Sequence, residues 1–120
     1  MVLVGDKRNY YTDAVKDCIF CKIISGEVPA EIVKKTDKIV VFKDMFPKAP
    51  IHLLLIPKKH YRDITEADGD IWEEIRSIAI ELAKEKNLVG FRLVHNAGAA
   101  AVVPHMHVHF LGEVFAEREL

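Results

Sequence analysis

The chain is short of cysteine, of any excess charge and of long apolar runs, and each shortage closes off a class of protein. With only two cysteines, it cannot carry the disulfide framework that staples small secreted domains. Seventeen basic side chains nearly balance 18 acidic ones, for a formal net charge of −1 at pH 7. Neither sign forms a long run, so no broad basic face for nucleic acid or a membrane surface is expected. The opening Met1-Val2-Leu3-Val4 is cut off by Gly5-Asp6-Lys7-Arg8, far short of a spanning helix or the core of an export signal. Small-molecule partners, no nucleic acid, no membrane and a cytoplasmic location are the resulting expectations. There is no internal repeat and no low-complexity stretch.

The 120 residues suffice for one domain around one core. We place that domain at residues 17–120, behind a polar extension over residues 1–16 whose order the sequence does not determine. Asp17 is positioned to cap a short helix through Cys18-Ile19-Phe20-Cys21-Lys22-Ile23-Ile24, with Gly26 as its stop. Glu31–Lys34 and Ile39–Phe42 flank a polar turn and predict an antiparallel hairpin. His52-Leu53-Leu54-Leu55-Ile56 is apolar enough for a central strand, ending at Pro57. Thr65 and Asp68 have capping-box spacing, and Ile71, Trp72, Ile75, Ile78, Ala79, Leu82 and Ala83 follow on one helical stripe ended by Asn87. Phe91–His95 and His105–Leu111 read as two more strands, joined by the small-residue loop Asn96–Ala101. Connections this short exclude repeated helical crossovers. The expected class is α+β: a five-stranded antiparallel sheet with one short N-terminal helix and one long helix.

Three of the six histidines fall within His105-Met106-His107-Val108-His109. On an extended chain the three imidazoles face one way while Met106, Val108 and Phe110 face the other. A metal cage, a catalytic relay and a solvated edge strand all fit that spacing. The dry opposite face favours the relay, since imidazoles add nothing to a sheet that aliphatic residues would not do better. An imidazole nitrogen can attack phosphorus when its other nitrogen is held by an acceptor, while neighbouring histidines bind the phosphoryl oxygens. His107, in the middle, has helpers on both sides.

Cys18-x-x-Cys21 supplies half of a tetrahedral metal site, which His60 and one histidine of the triplet would complete as a closed, structural set. Two small buried helix residues are the alternative. Asp44, after the second strand, suits a sugar diol or a turn; Asn96 suits a phosphate or a left-handed backbone; Lys58 and Lys59 suit phosphate or plain surface; Trp72 reads as helix packing.

Residues 105–111 resemble the defining His-φ-His-φ-His-φ-φ pattern of the histidine-triad family. The likeness extends over residues 17–112, through Cys18–Ile24, Phe42-Lys43-Asp44, Ala49-Pro50-Ile51-His52 and Ile56–His60, and is greatest to the branch of purine nucleoside phosphoramidases. That resemblance implies a homodimer that binds a purine nucleotide such as AMP and hydrolyses nucleoside phosphoramidates or related adenylyl conjugates through a nucleotidyl-histidine. His107 would be the nucleophile. His109 would orient it, supported by the carbonyl of His95 or a nearby main-chain group, and His105 and His52 would lie beside the phosphate. Asp44 would hold the ribose, Phe20, Ile23, Phe42, Met45 and Leu54 would wall the base, and Cys18, Cys21, His60 and His105 would hold zinc. Where the family places Gly-Gln-Ser/Thr-φ before the triad, this chain has Ala100-Ala101-Val102-Val103. That departure keeps two alternatives in view: a dinucleoside polyphosphate hydrolase, and a purine-nucleotide-binding module with little activity.

Overall fold

A computed structural model describes residues 17–119; the extension expected over residues 1–16 lies outside them. The chain runs α1 (Ile19–Ser25), β1 (Ile32–Lys35), β2 (Ile39–Lys43), β3 (Ile51–Pro57), α2 (Gly69–Glu85), β4 (Phe91–His95), a short 3-10 turn (Gly98–Ala100) and β5 (Val108–Gly112). The strands form one antiparallel sheet in the order β1-β2-β3-β5-β4, so the apolar β3 is central, as its composition predicts. No helix among the described residues is long and apolar enough to cross a membrane.

Strand alternation divides the sheet between two cores. Ile39, Val41, Leu53, Leu55, Val108 and Phe110 meet Ile71, Ile75, Ile78, Ala79 and Leu82 of α2 on one face. Val40, Phe42, Leu54 and Ile56 meet Cys18 and Phe20 of the α1 segment on the other. Each buried valine, leucine, isoleucine or phenylalanine among them contributes about 1.5–3 kcal/mol relative to exposure. β3 is buried on both sides, which explains its unbroken apolar run. The triplet obeys the same parity: Met106, Val108 and Phe110 enter the α2 core, and His107 and His109 look toward α1.

Several local expectations need correction. Helix α1 is capped by Cys18, whose sulfur accepts the Cys21 N–H, and not by Asp17; Gly26 ends it at φ 88°, as expected. The capping box does not form. Thr65 donates its hydroxyl to Asp63, Asp68 accepts the Tyr61 hydroxyl at 2.8 Å, and α2 starts at Gly69. Trp72 is 41 % exposed and edges onto His95 instead of joining the core. The last strand starts at Val108, so His105 and His107 lie in the segment leading to the sheet, not in its ladder.

Candidate functional site

The register of β3 and β5 assembles the first cluster. Leu54 pairs with His109, which makes His52, two residues back on β3, a diagonal neighbour on the same face. His52 Nε2 and His109 Nδ1 are 2.9 Å apart. The Lys48 N–H donates to His52 Nδ1 at 2.9 Å, and a main-chain N–H can only donate. In the neutral ring His52 therefore carries its proton on Nε2 and donates to His109 Nδ1. His109 in turn holds its own proton on Nε2. Asp44 closes a turn by accepting the Phe46 N–H at 2.7 Å, while its other carboxylate oxygen lies 3.5 Å from His52 Nε2. The turn reading of Asp44 is met by its first oxygen, and the second is left facing His52.

His107 is oriented differently. Its Nδ1 lies 2.8 Å from the His105 carbonyl, which can only accept, so the proton sits on Nδ1 and Nε2 keeps its lone pair. The supporting carbonyl is His105's and not His95's. His109 packs edge-on against the His107 ring at 5.1 Å. Burial lowers the proton affinity of His52, His107 and His109 below the ordinary histidine range, His109 to about 4. All three are neutral at pH 7, in the tautomers the hydrogen bonds dictate.

His107 and His109 line a cavity of about 920 Å³. Its wall includes Phe20, Ile23, Phe42, Met45 and Leu54, the base-pocket set that the resemblance implies, together with Asp44 and Asn96. Phe20 and Phe42 meet edge to face at 5.8 Å, and Phe20 meets the His107 ring at 5.0 Å, so the apolar floor runs up to the imidazole. The rim adds Ile19, Val28, Pro29, Phe46, Val102 and Val103, of which Val102 is 93 % exposed. Met45 belongs to the rim rather than the floor, being 84 % exposed.

A second cluster lies behind the first. The donor atoms of Cys18, Cys21, His60 and His105 all fall within 4.8 Å of one another, a set that can hold a metal ion. His105 Nε2 is 2.8 Å from the Pro57 carbonyl and so is protonated; its bare Nδ1 faces Cys18 Sγ at 3.3 Å and Cys21 Sγ at 3.5 Å. His60 Nδ1 stands 3.2 Å from Cys21 Sγ. Without a cation, burial and the neighbouring Cys18 push the Cys21 thiol up to about 12, while burial lowers His60 and brings His105 to about 4. Asp44, His52 and His109 also converge, but that set is the poorer metal site. The Lys48 N–H keeps the His52 proton on Nε2, the atom that would have to bind.

Of the two places the resemblance gives His105, beside the phosphate or with the metal ligands, its side chain takes the second, and it reaches the first cluster through its carbonyl alone. Lys58 and Lys59 are absent from the cavity wall; Lys59 lies over the Tyr61 ring. Asp63 was missed. Buried, it accepts from the Thr65 N–H and hydroxyl and from the Gly98 N–H, and these hydrogen bonds hold its carboxyl down at about 2. It anchors the turn leading to the cavity rim, and the Asp-x-Thr spacing of a side-chain turn was the available signal.

The family described as "Scavenger mRNA decapping enzyme C-term binding" matches residues 17–119. Protein HitA of Neisseria gonorrhoeae is 38 % identical over 102 residues, 80 % of this chain and 95 % of that protein. An uncharacterized HIT-like protein of Methanocaldococcus jannaschii is 38 % identical over 96 residues, 78 % of this chain and 74 % of its own. Among solved structures, a histidine triad protein from Clostridium difficile superposes with TM-score 0.79 at 37 % identity, covering 87 % of this chain and 96 % of that one. A HIT family hydrolase from Clostridium thermocellum gives 0.80 at 35 % identity, covering 88 % and 97 %.

Proposed function

The chain belongs to the histidine-triad family, and from that premise we propose that it hydrolyses nucleoside phosphoramidates or related adenylyl conjugates through a nucleotide carried on His107. The observation behind this reading is the lone pair on His107 Nε2, fixed by the His105 carbonyl at the end of an apolar cavity that also holds Asp44. A purine fits against Phe20, Ile23, Phe42 and Leu54, and the Asp44 carboxylate suits the ribose hydroxyls. Nε2 attacks phosphorus; the bond from phosphorus to the leaving nitrogen breaks, and the amine departs with the electron pair and takes a proton from solvent. The His109 Nε2–H donates to a phosphoryl oxygen as charge builds there. Water then attacks phosphorus and gives up a proton to solvent, the bond to Nε2 breaks, and its electron pair returns to the ring, leaving a nucleoside monophosphate such as AMP.

Trapping tests this. Mass spectrometry of rapidly quenched turnover, under conditions that preserve acid-labile adducts, is expected to find the nucleotide on His107. A nucleotide on another side chain overturns the mechanism. The cavity volume supports a second reading, a dinucleoside polyphosphate hydrolase, because a mononucleotide leaves room to spare. Parallel turnover of an adenosine phosphoramidate and a diadenosine polyphosphate decides between them.

Zinc suits the second cluster: at Zn–S and Zn–N lengths near 2.3 and 2.05 Å, a tetrahedral angle separates sulfur and nitrogen by roughly 3.6 Å, and the observed separations are 3.2, 3.3 and 3.5 Å. Cys18, Cys21, His60 and His105 would hold it. As a closed four-ligand centre it would supply cross-linking and no open position for chemistry. A homodimer is part of the proposal, supported by β4 standing at the sheet edge with Phe91 partly exposed; a solution mass of one chain would contradict it.

A further inference from the structure

Five of the six histidines have a place in one of the two clusters, and the sixth, His95, has none. It closes β4, where the ladder ends: His95 pairs with Val108, the first residue of β5, and His107 lies one residue beyond. No strand partner remains for the His107 carbonyl at that point. The side chain of His95 takes it instead, Nδ1 to oxygen at 3.1 Å. Its other nitrogen is committed too, since Nε2 receives the Ile64 N–H at 3.1 Å. That donor leaves only one neutral tautomer: the proton is on Nδ1 and is donated to the His107 carbonyl.

We propose that His95 is a positioning residue for the nucleophile, its Nδ1–H continuing the β4–β5 ladder one residue past its end and so fixing the His107 peptide. This rests on the reading of His107 as nucleophile. The neighbourhood explains why such a clamp is needed. On its N-terminal side His107 is anchored by the Met106 N–H, which donates to the Tyr61 carbonyl at 2.7 Å. On its C-terminal side the His95 contact is the anchor before the ladder begins at Val108. Between them the chain must keep Nδ1 on the His105 carbonyl, because a rotated peptide would carry the ring off that acceptor. The Ile64 donor is itself held in place, as Asp63 before it and Thr65 after it share a side-chain turn that also binds Gly98, in the loop between Asn96 and Val102 of the cavity wall. Trp72 closes over the ring edge, with centroids 6.3 Å apart. One buttress therefore carries both the nucleophile and the cavity rim.

The two nitrogens can be separated by substitution. In His95→Asn the side-chain amide takes the place of Nδ1 and can still donate to the His107 carbonyl. In His95→Gln the amide reaches the place of Nε2, meets Ile64 and leaves that carbonyl without a donor. His95→Gln is expected to lower kcat for an adenosine phosphoramidate roughly tenfold, as a small misplacement of a reacting group does, with KM and AMP affinity unchanged; His95→Asn restores most of kcat. Nitrogen-15 NMR of the imidazoles, read without substrate, is expected to show the single Nδ1-protonated His107 form in the wild type and in His95→Asn, and a tautomer mixture in His95→Gln. Unchanged His107 signals in His95→Gln overturn the proposal. So do Asn and Gln variants that lose activity equally and in step with their thermal midpoints. A wild type without turnover overturns the phosphoramidase reading alone, because the tautomer measurement needs no substrate.

Discussion

At the residue scale, the site works by fixing where protons sit on neutral imidazoles. His52 is a positioning residue: a main-chain donor on one nitrogen forces a proton onto the other, which then forces His109 to present its own. Replacing His52 by Leu is expected to lower kcat by about one to two orders of magnitude, with the nucleotide still bound, since the loss is one of orientation; a steady-state split of kcat from KM checks it. Neutrality also has a cost in acid. His109 titrates at about 4 in the folded chain against an ordinary value of 6.5, so the unfolded chain takes up its proton first as pH falls. The stability contributed by the neutral ring is complete above 6.5 and is lost between 6.5 and about 4. Asp63, held at about 2 against 3.8, gives way only below that window. Urea midpoints measured across pH are expected to drop in the first window, and a flat profile there would contradict the burial of the imidazoles.

At the element scale, the strands read well from sequence because alternation is a local property, and the caps read poorly because they depend on competition. Thr65 and Asp68 have the spacing of a capping box, yet Asp63 claims the threonine hydroxyl and Tyr61 claims the Asp68 carboxylate. Likewise the N-cap of α1 passes from Asp17 to Cys18, whose sulfur is turned inward toward His105 and accepts the Cys21 N–H. Gly90, just before β4, shows a constraint no pattern reveals. A Cβ there would stand 2.4 Å from the Val114 carbonyl oxygen, and the Gly90 carbonyl already takes the Glu113 and Val114 N–H groups. Gly90→Ala is expected to destabilise the fold by about 1–3 kcal/mol, as overpacking does, which a denaturant titration would register as a lower midpoint with little change in slope.

At the scale of the whole molecule, the two clusters are joined by one residue, since His105 offers its ring to the cysteines and its carbonyl to His107. Cys18→Ser is expected to remove bound metal and lower the thermal midpoint by roughly 5–10 °C, the shift expected for a lost cross-link of one to two kcal/mol in a domain of this size; metal analysis with calorimetry checks both. An equal midpoint before and after chelation would reduce the cysteines to core packing. The sequence by itself determined the sheet and its central strand and the face on which the imidazoles gather, because side-chain periodicity and residue chemistry are written locally; the residues around the cavity were legible only through the resemblance to the family. Only the tertiary structure decided which nitrogens of His52, His95, His105, His107 and His109 are bare, that the His105 carbonyl orients His107, and that His95 and Asp63 buttress the site. Those outcomes depend on main-chain donors and acceptors, Pro57, Ile64 and Gly98 from distant segments and Lys48 and His105 from a few residues away, and a chain read in order gives no sign of which of them will meet which side chain.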